Sequence, residues 1–369
     1  MTLSAAPLFT PFDFKSLHLP NRIVMAPMTR SFSPHQVPGE NVAEYYRRRV
    51  EGGVGLIITE GTGTGHPAAL NDANVPDFDG EAPLAGWAKV LKAVKEAGGH
   101  IMPQLWHTGL MRRPGTGPNP EIKGIGPSGI FKPGKIVGEP MTLGEIEAVI
   151  ETYARSAANA KRLGFDGVEI HGAHGYLIDQ FFWEGTNQRS DDYGGDLVKR
   201  TRFACEVIAA VRRAVGPDYP IILRFSQWKQ QDFEARLANT PAELERFLAP
   251  LAASGVDIFH CSTRRFWEPE FASEGSDLNL AGWVKKLTGK PVISVGSVGL
   301  NAEFIATFAG ASAIPASLDR LIEMFERGDF DLVAVGRALI VNSDWPNKVR
   351  KGNLESLKPY SPDVLKELV

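Results

Sequence analysis

Short apolar runs that alternate with amphipathic helices limit the possible folds of this chain most strongly. Each run is rich in β-branched residues, is bounded by Gly, Pro or Asp, and is mostly apolar on both faces. That pattern is typical of buried parallel strands, and parallel strands need helical crossovers between them. The runs are Arg22–Met25, Val54–Thr59, His100–Leu105, Gly167–Ile170, Pro220–Phe225, Val256–His260, Pro291–Val295 and Leu332–Val335. The sequence therefore predicts an α/β fold, a single (β/α)8 TIM barrel.

Helical periodicity fills the intervals between these runs, and two helix starts have clear capping signals. Thr142 with Glu145 forms a capping box, and Thr240 precedes a proline at the first helical position. The predicted helices are Ala43–Val50, Pro83–Ala97, Leu143–Leu163, Leu197–Val215, Pro241–Ala253 and Leu318–Arg327. A doubly wound open sheet is the alternative, but no G-x-G-x-x-G follows the first strand, where a dinucleotide-binding fold would place it.

Composition excludes several classes of function. The net charge of −3 provides no basic field for nucleic acid, and no apolar run reaches the length of a membrane span. Two cysteines exclude a disulfide scaffold and a cluster held by four thiolates. Met1–Phe9 lacks the features of a secretory signal, so we expect a cytoplasmic protein. We expect one domain over 1–369, with a short lead-in at 1–20 and a tail at 346–369, and the sequence leaves the oligomeric state open.

In a TIM barrel the active site lies at the carboxyl ends of the strands. Here those ends carry polar and aromatic residues, a pattern that stability alone does not require. By strand, they are Ala26–Thr29, Thr59–Gly61, Gln104–His107, His171–Tyr176, Arg224, Gly296–Ser297 and Gly336–Arg337. The last two segments follow strands seven and eight, where barrels often bind phosphate. Glycine lets the backbone N–H groups approach an anion, and Arg337 can offer a bidentate fork.

Two histidines and a tyrosine follow strand four. His171 and His174 could both donate to one carbonyl or anionic oxygen while Tyr176 donates a proton. A pair of purely structural histidines is one alternative. A metal site is another, with Glu169 or His260 as the third ligand, although no cysteine or carboxylate lies at a familiar ligand spacing.

The chain resembles the Old Yellow Enzyme family of flavin-dependent ene-reductases, and the likeness runs from about Phe9 to about Trp345. The segments that carry it are Asn21–Thr29, Gly53–Gly61, Gln104–Gly109, His171–Phe181, Asn187–Gly195 and Phe330–Arg337. The resemblance implies one non-covalently bound FMN at the top of the barrel and NADPH or NADH as the hydride donor. The residues that it implies for FMN binding are Ala26, Pro27, Met28, Thr29, Gly61, Gln104, Arg224, Gly296, Ser297, Gly336 and Arg337.

The same resemblance implies the catalytic roles. His171 and His174 match the pair that binds the activating oxygen of the substrate, Tyr176 matches the proton donor, and Trp106 shapes the substrate pocket. The expected substrate is a small electron-poor alkene, an α,β-unsaturated carbonyl or nitro compound. Reduction of nitrate esters or nitroaromatics by the same flavin is the alternative, followed by a metal-dependent hydrolase that uses His171 and His174, or a flavin-binding protein without turnover.

This chain departs from the usual family pattern after strand five and at its end. Phe225–Arg236 replaces a shorter turn, and we expect a longer loop there in which Trp228 contacts the substrate or the nicotinamide. The tail Lys358–Val369 lacks the ending that gives some relatives a second tyrosine on the substrate side, and Phe266 and Trp267 are expected to provide aromatic walls instead.

Overall fold

Eight parallel strands close into a barrel, which confirms the predicted fold. The computed structural model describes residues 3–303 and 310–369. A hairpin of β1 (Phe12–Phe14) and β2 (Leu17–Leu19) precedes the barrel, and β6 (Ile130–Lys132) pairs with β7 (Lys135–Ile136) beside it. The barrel strands are β3 (Ile23–Met25), β4 (Leu56–Thr62), β5 (Ile101–Leu105), β8 (Val168–His174), β9 (Ile221–Lys229), β10 (Ile258–Ser262), β11 (Val292–Val295) and β12 (Leu332–Val335).

Helices surround the barrel and follow its strands. The two capping signals are present: the Thr142 hydroxyl accepts from the Glu145 N–H, and the Thr240 hydroxyl accepts from the Glu243 N–H. The helices are α1 (Glu40–Glu51), α2 (Glu81–Glu96), α3 (Leu143–Leu163), α4 (Leu177–Phe182), α5 (Arg202–Val215), α6 (Pro241–Ala253), α7 (Leu280–Thr288), α8 (Asp319–Arg327), α9 (Arg337–Val341) and α10 (Trp345–Arg350). No helix among the described residues is long and apolar enough to cross a bilayer.

Several elements differ from their predicted bounds, and the differences in α5 and β9 are among the largest. The predicted helix over Leu197–Val215 begins as the regular helix α5 only at Arg202, after a 3₁₀ turn at Lys199–Thr201. The expected loop after Phe225 was wrong at its start, because β9 continues to Lys229. The strand continues because β8 and β9 pair past a bulge, which aligns His174 with Lys229.

The inside of the barrel changes from apolar to polar along its axis. Near the amino ends of the strands, Val24, Leu56, Met102, Ile222 and Ile258 pack with the β1–β2 hairpin. Because alternate residues of a strand face the same side, the next positions toward the carboxyl ends also face inward, and on β5, β8, β9 and β10 they are polar. They are Gln104, Glu169, His171, Arg224, His260 and Ser262, all buried. The fold therefore places a polar layer on top of an apolar plug.

Candidate active site

A cavity of about 1000 Å³ opens at the carboxyl ends of the barrel strands. Its size is at the upper end of what small-molecule sites use. Most of the residues that the sequence singled out line it together: Ala26, Pro27, Met28, Thr29, Gln104, Trp106, His171, His174, Tyr176, Arg224, Gly296, Ser297, Gly336 and Arg337. The strand order of the barrel puts β11 and β12 across the rim from β5 and β8. The expected phosphate end and the histidine end therefore lie on opposite sides.

Gly61 does not line the cavity but lies behind its wall. A side-chain carbon at this position would approach the Trp106 ring to 2.6 Å and the Gln104 Oε1 atom to 3.3 Å. Glycine is thus required for the close approach of these two side chains to β4. Gly61 acts on the cavity through Trp106 and Gln104.

The loops after β11 and β12 form one corner of the cavity. Gly296 has φ of +145° and Ser297 has φ of +54°, so the chain turns sharply as it leaves β11. The Arg337 guanidinium donates to Ser297 Oγ at 3.2 Å and to the Ala302 carbonyl at 2.6 Å. Backbone N–H groups and a fixed guanidinium in one corner are suited to a phosphate group.

Four aromatic rings form the opposite end. The Tyr176 ring packs edge-on against Trp106, with centroids 4.9 Å apart, and against His171 at 5.0 Å. His171 and His174 also meet edge-on at 5.2 Å. His174, the last residue of β8, is in the left-handed region with φ of +64°, and Gly175 follows with φ of +78°. This turn directs the side chains of His171, His174 and Tyr176 into the same part of the cavity.

Both histidines are neutral at ordinary pH. Burial lowers the pKa of His171 and of His174 well below the usual value, and the positive charge of Arg224 lowers both further. The Ala173 N–H donates to His171 Nδ1 at 3.3 Å, so His171 carries its proton on Nε2. A neutral imidazole with a defined N–H donor can hold a carbonyl or nitro oxygen without giving up its proton.

Ser262, which the sequence analysis did not single out, connects Arg224 to His174. Its hydroxyl oxygen accepts from the Arg224 guanidinium at 3.2 Å and lies 2.8 Å from His174 Nε2. The Ser262 proton is available to His174 Nε2, which leaves the His174 proton on Nδ1. The pairing of β9 with β10 brings Arg224 and Ser262 together, so only the register reveals this contact.

A buried carboxylate organises the cavity floor. Glu169 Oε1 accepts from Gln104 Nε2 at 2.7 Å, and Glu169 Oε2 lies 2.6 Å from His260 Nδ1. With its amide N–H committed to Glu169, Gln104 has its carbonyl oxygen free for a donor in the cavity. Glu169 and His260, once candidates for a metal site, instead bond to each other. Among the residues that the structure describes, no group of three or more His, Cys, Asp or Glu could hold a metal ion.

The extended part of β9 and the residue after it supply Trp228, which the sequence predicted at the site, together with Ser226 and Gln230, which it did not. Trp228 does line the cavity, and it stacks on His174 with ring centroids 4.6 Å apart. The Ser226 hydroxyl accepts from the His174 N–H at 2.9 Å. Gln230 Nε2 donates to the Tyr176 hydroxyl oxygen at 2.9 Å. Polar residues after the fifth strand were the only sequence signal for this group.

The chain's tail and the strand-six loop also differ from expectation. Tyr360 lines the cavity, and its ring lies 5.8 Å from the Arg337 guanidinium. The tail therefore does bring a tyrosine to the site, on the Arg337 side. Phe266 and Trp267 pack against each other, and neither belongs to the cavity lining, whereas Phe233 from the segment after β9 does.

Three comparisons with known proteins agree with one another. Residues 7–355 match the NADH:flavin oxidoreductase / NADH oxidase family. The chain is 33% identical to an NADH oxidase of Thermoanaerobacter brockii, over 95% of this chain and 52% of that protein. It is also 33% identical to 12-oxophytodienoate reductase 7 of Oryza sativa subsp. japonica, over 94% of this chain and 88% of that protein.

Among solved structures, morphinone reductase in complex with tetrahydroNAD superimposes with a TM-score of 0.78. The two chains are 29% identical, and the match covers 97% of this chain and 93% of that one. By contrast, the chain spans about half the length of the NADH oxidase and of a metal reductase of Desulforamulus reducens, which it matches at 32% identity.

Proposed function

The chain belongs to the NADH:flavin oxidoreductase / NADH oxidase family, also known as the Old Yellow Enzyme family, and on that basis we propose that it is an FMN-dependent ene-reductase. It uses a reduced nicotinamide and reduces the C=C bond of an alkene that a carbonyl or nitro group activates. The products are the oxidised nicotinamide and the saturated compound.

The residues that line the cavity carry the chemical groups that FMN binding requires. Gly296, Ser297 and Arg337 would hold the phosphate, and Gln104 and Arg224 would face the pyrimidine edge of the ring. The Arg224 Nε atom is buried without a hydrogen-bond partner, so a bound acceptor would satisfy a group that is costly to leave unpaired. Bound FMN supplies hydride transfer in two steps, from the nicotinamide and then to the alkene.

The residues of the chain perform the remaining tasks. Arg224 is a fixed positive charge that would stabilise negative charge on the pyrimidine edge of bound FMN. Neutral His171 and His174 bind the substrate's carbonyl or nitro oxygen and draw electron density from the alkene. Tyr176 then delivers its hydroxyl proton to the α-carbon, while hydride arrives at the β-carbon. Trp106 limits the space beside Tyr176 and so restricts the substrate's position.

The convergence of two neutral histidines and a tyrosine at the end of the cavity across from Arg337 supports this proposal most directly. Burial raises the pKa of Tyr176, although the Gln230 hydrogen bond and the Arg224 charge oppose that shift. Tyr176 therefore keeps its proton at neutral pH until a strongly basic carbon forms beside it. The histidines cannot replace it as the acid, because their lowered pKa values leave them as neutral imidazoles and not as imidazolium acids.

The first test is the absorbance of the purified protein during two half-reactions. We expect a yellow protein that anaerobic NADPH or NADH bleaches and that an α,β-unsaturated ketone restores, with the two donors compared for preference. A colourless protein that neither contains nor takes up FMN would overturn the proposal.

Replacement of Tyr176 by Phe tests the proton donor. Because general acid catalysis contributes roughly 10²–10⁴-fold, we expect reoxidation by the ketone to slow by that order. Bleaching by the nicotinamide needs no proton from Tyr176 and should stay within about twofold of wild type. Stopped-flow absorbance measures both rates, and equal slowing of both would argue against this role for Tyr176.

A further inference from the structure

The strand β9 extends beyond the barrel rim and reaches over the site. It contains nine residues, whereas its neighbour β10 contains five. Its last residue, Lys229, makes a fully buried ion pair with Asp179 of α4, with Nζ and Oδ1 2.7 Å apart. Asp179 Oδ2 also accepts from the Gly175 N–H at 2.7 Å. One buried carboxylate thus joins the end of β9 to the turn that carries Tyr176.

Gln230 and Gln231 continue from this anchored point and both contact the same turn. Gln231 Nε2 donates to the Gly175 carbonyl at 2.9 Å, beside the Gln230 contact to Tyr176 Oη, also at 2.9 Å. The Tyr176 ring is already held edge-on by Trp106 and His171. These ring contacts position the phenol, whereas the direction of its hydroxyl proton is set by the partners of the hydroxyl oxygen.

The direction of the Gln230 hydrogen bond decides where that proton points. An amide N–H can only donate, so Tyr176 Oη accepts from it and cannot return its own proton to the same nitrogen. A carbonyl at this position would instead bind the phenolic proton and keep it from the substrate. The N–H also favours the phenolate that remains after the proton has left.

We propose that Gln230 is a positioning residue that keeps the Tyr176 proton directed into the cavity and stabilises the oxygen that it leaves behind. The proposal rests on the proposed function for its kinetic consequence. The hydrogen bond itself, and its effect on the acidity of Tyr176, do not depend on any bound ligand. The buried Asp179–Lys229 pair sets the position from which Gln230 reaches Tyr176.

Two substitutions of Gln230 distinguish the effect of reversing the hydrogen bond to Tyr176 from the effect of removing it. Gln230→Glu replaces the donor by an ionised acceptor of the same size, and Gln230→Met removes the bond with little change in length. Gln230 is exposed at the cavity mouth, so neither change disturbs a packed core. Gln188→Glu is the matched control, because it adds the same charge at an exposed glutamine outside the cavity.

We expect reoxidation of the reduced holoenzyme by the ketone to slow by about tenfold in Gln230→Glu and by less in Gln230→Met. Both effects are smaller than the loss expected when the general acid itself is removed. Bleaching by the nicotinamide, and reoxidation by molecular oxygen in place of the ketone, should match wild type in both. A merely structural disturbance would change all three rates. Wild-type ketone rates in both variants would overturn the proposal.

Tyrosinate absorbance against pH provides a readout that is independent of turnover. The difference between each protein and its Tyr176→Phe counterpart isolates the Tyr176 titration, which we expect to move to higher pH in Gln230→Glu and Gln230→Met and to stay in place in Gln188→Glu. If the wild-type protein reduces no ketone, the proposed function fails while this titration still tests the hydrogen bond. An unmoved titration in both Gln230 variants would overturn the inference even in an active enzyme.

Discussion

At the scale of single residues, Glu60 shows how a side chain behind the site shapes it. Glu60 is buried at the end of β4, and its Oε2 atom accepts from the backbone N–H groups of Arg30 and Ser31, at 2.9 Å and 3.1 Å. Ser31 has φ of +57°, so the backbone turns sharply after Thr29. The two hydrogen bonds to Glu60 hold this turn in place. Glu60 thus orients the backbone that follows Thr29.

Replacing Glu60 by Gln should change the pH dependence of stability. Burial raises the Glu60 pKa from 4.5 to about 7, so the native state resists ionisation of this group. The contribution of Glu60 to stability is therefore fully present below its unfolded-state pKa of 4.5 and is lost as the pH rises through about 7. The glutamine keeps an oxygen for both N–H groups, so the wild-type protein should lose about 3 kcal/mol relative to the variant over this window.

Urea unfolding of both proteins at about pH 5 and about pH 8 measures that difference. If the two proteins show parallel stability profiles across this range, the ionisation of Glu60 is not coupled to folding.

At the scale of elements, the extension of β9 is stabilised by charge as well as by strand pairing. The Lys229 ammonium also donates to the Ser226 carbonyl at 3.1 Å, so its partners lie on β9 itself and on α4. Burial raises the pKa of Asp179 and lowers that of Lys229, and the attraction between them opposes both shifts. Removing one partner would leave the other as an uncompensated buried charge.

The double substitution of this pair should therefore destabilise the protein less than the single one does. Lys229→Met alone should destabilise the protein by roughly 3–5 kcal/mol, because Asp179 then stays buried without its cation. Asp179→Asn with Lys229→Met keeps an acceptor for the Gly175 N–H and removes both charges, so it should be more stable than Lys229→Met. Thermal unfolding measures this, with Lys366→Met, in an exposed pair with Asp363, as a control that should change little. A double variant that is the least stable would contradict this account.

At the scale of the whole molecule, barrel closure creates the site by placing distant strands across one rim. The corner of Gly296, Ser297 and Arg337 belongs to β11 and β12, and the opposite wall belongs to β5 and β8. A ligand that spans the cavity would connect strands on both sides of the barrel. Occupancy should consequently affect the stability of the complete barrel rather than of one loop.

Removal of FMN should lower the unfolding temperature, since a ligand at 100 times its Kd adds about 2.7 kcal/mol of stability. Riboflavin, which lacks the phosphate, should restore less of that stability than FMN does. Arg337→Ala should reduce the advantage of FMN over riboflavin, because it removes a charged partner of the phosphate. Thermal scans of the apoprotein with each ligand at fixed concentration test this, and equal stabilisation by both ligands in the wild type would exclude a phosphate site in this corner.

Much of the cavity lining could be predicted because strand ends of a barrel converge on one rim. Gln104, His171, Arg224 and Arg337 each lie within two residues of the carboxyl end of an apolar run, and all of them line the cavity. Ser262, Gln230 and Tyr360 could not be found in this way. Their roles depend on pairing between β9 and β10, on a bulge between β8 and β9, and on the path of the tail, and none of these leaves a periodic signal.

The amino-acid sequence by itself determined the alternation of strands and helices, the closed barrel, and the family, because apolar periodicity and motifs are local properties of the chain. Only the tertiary structure decided which polar side chains meet. Glu169 bonds to His260, Lys229 to Asp179 and Gln230 to Tyr176 across separations of 91, 50 and 54 residues. The reason is physical, since a shift of one residue in strand register turns every side chain to the opposite face. Register is a property of the packed barrel. The register of β8 and β9 brings Gln230 to the Tyr176 hydroxyl, where it directs the Tyr176 proton.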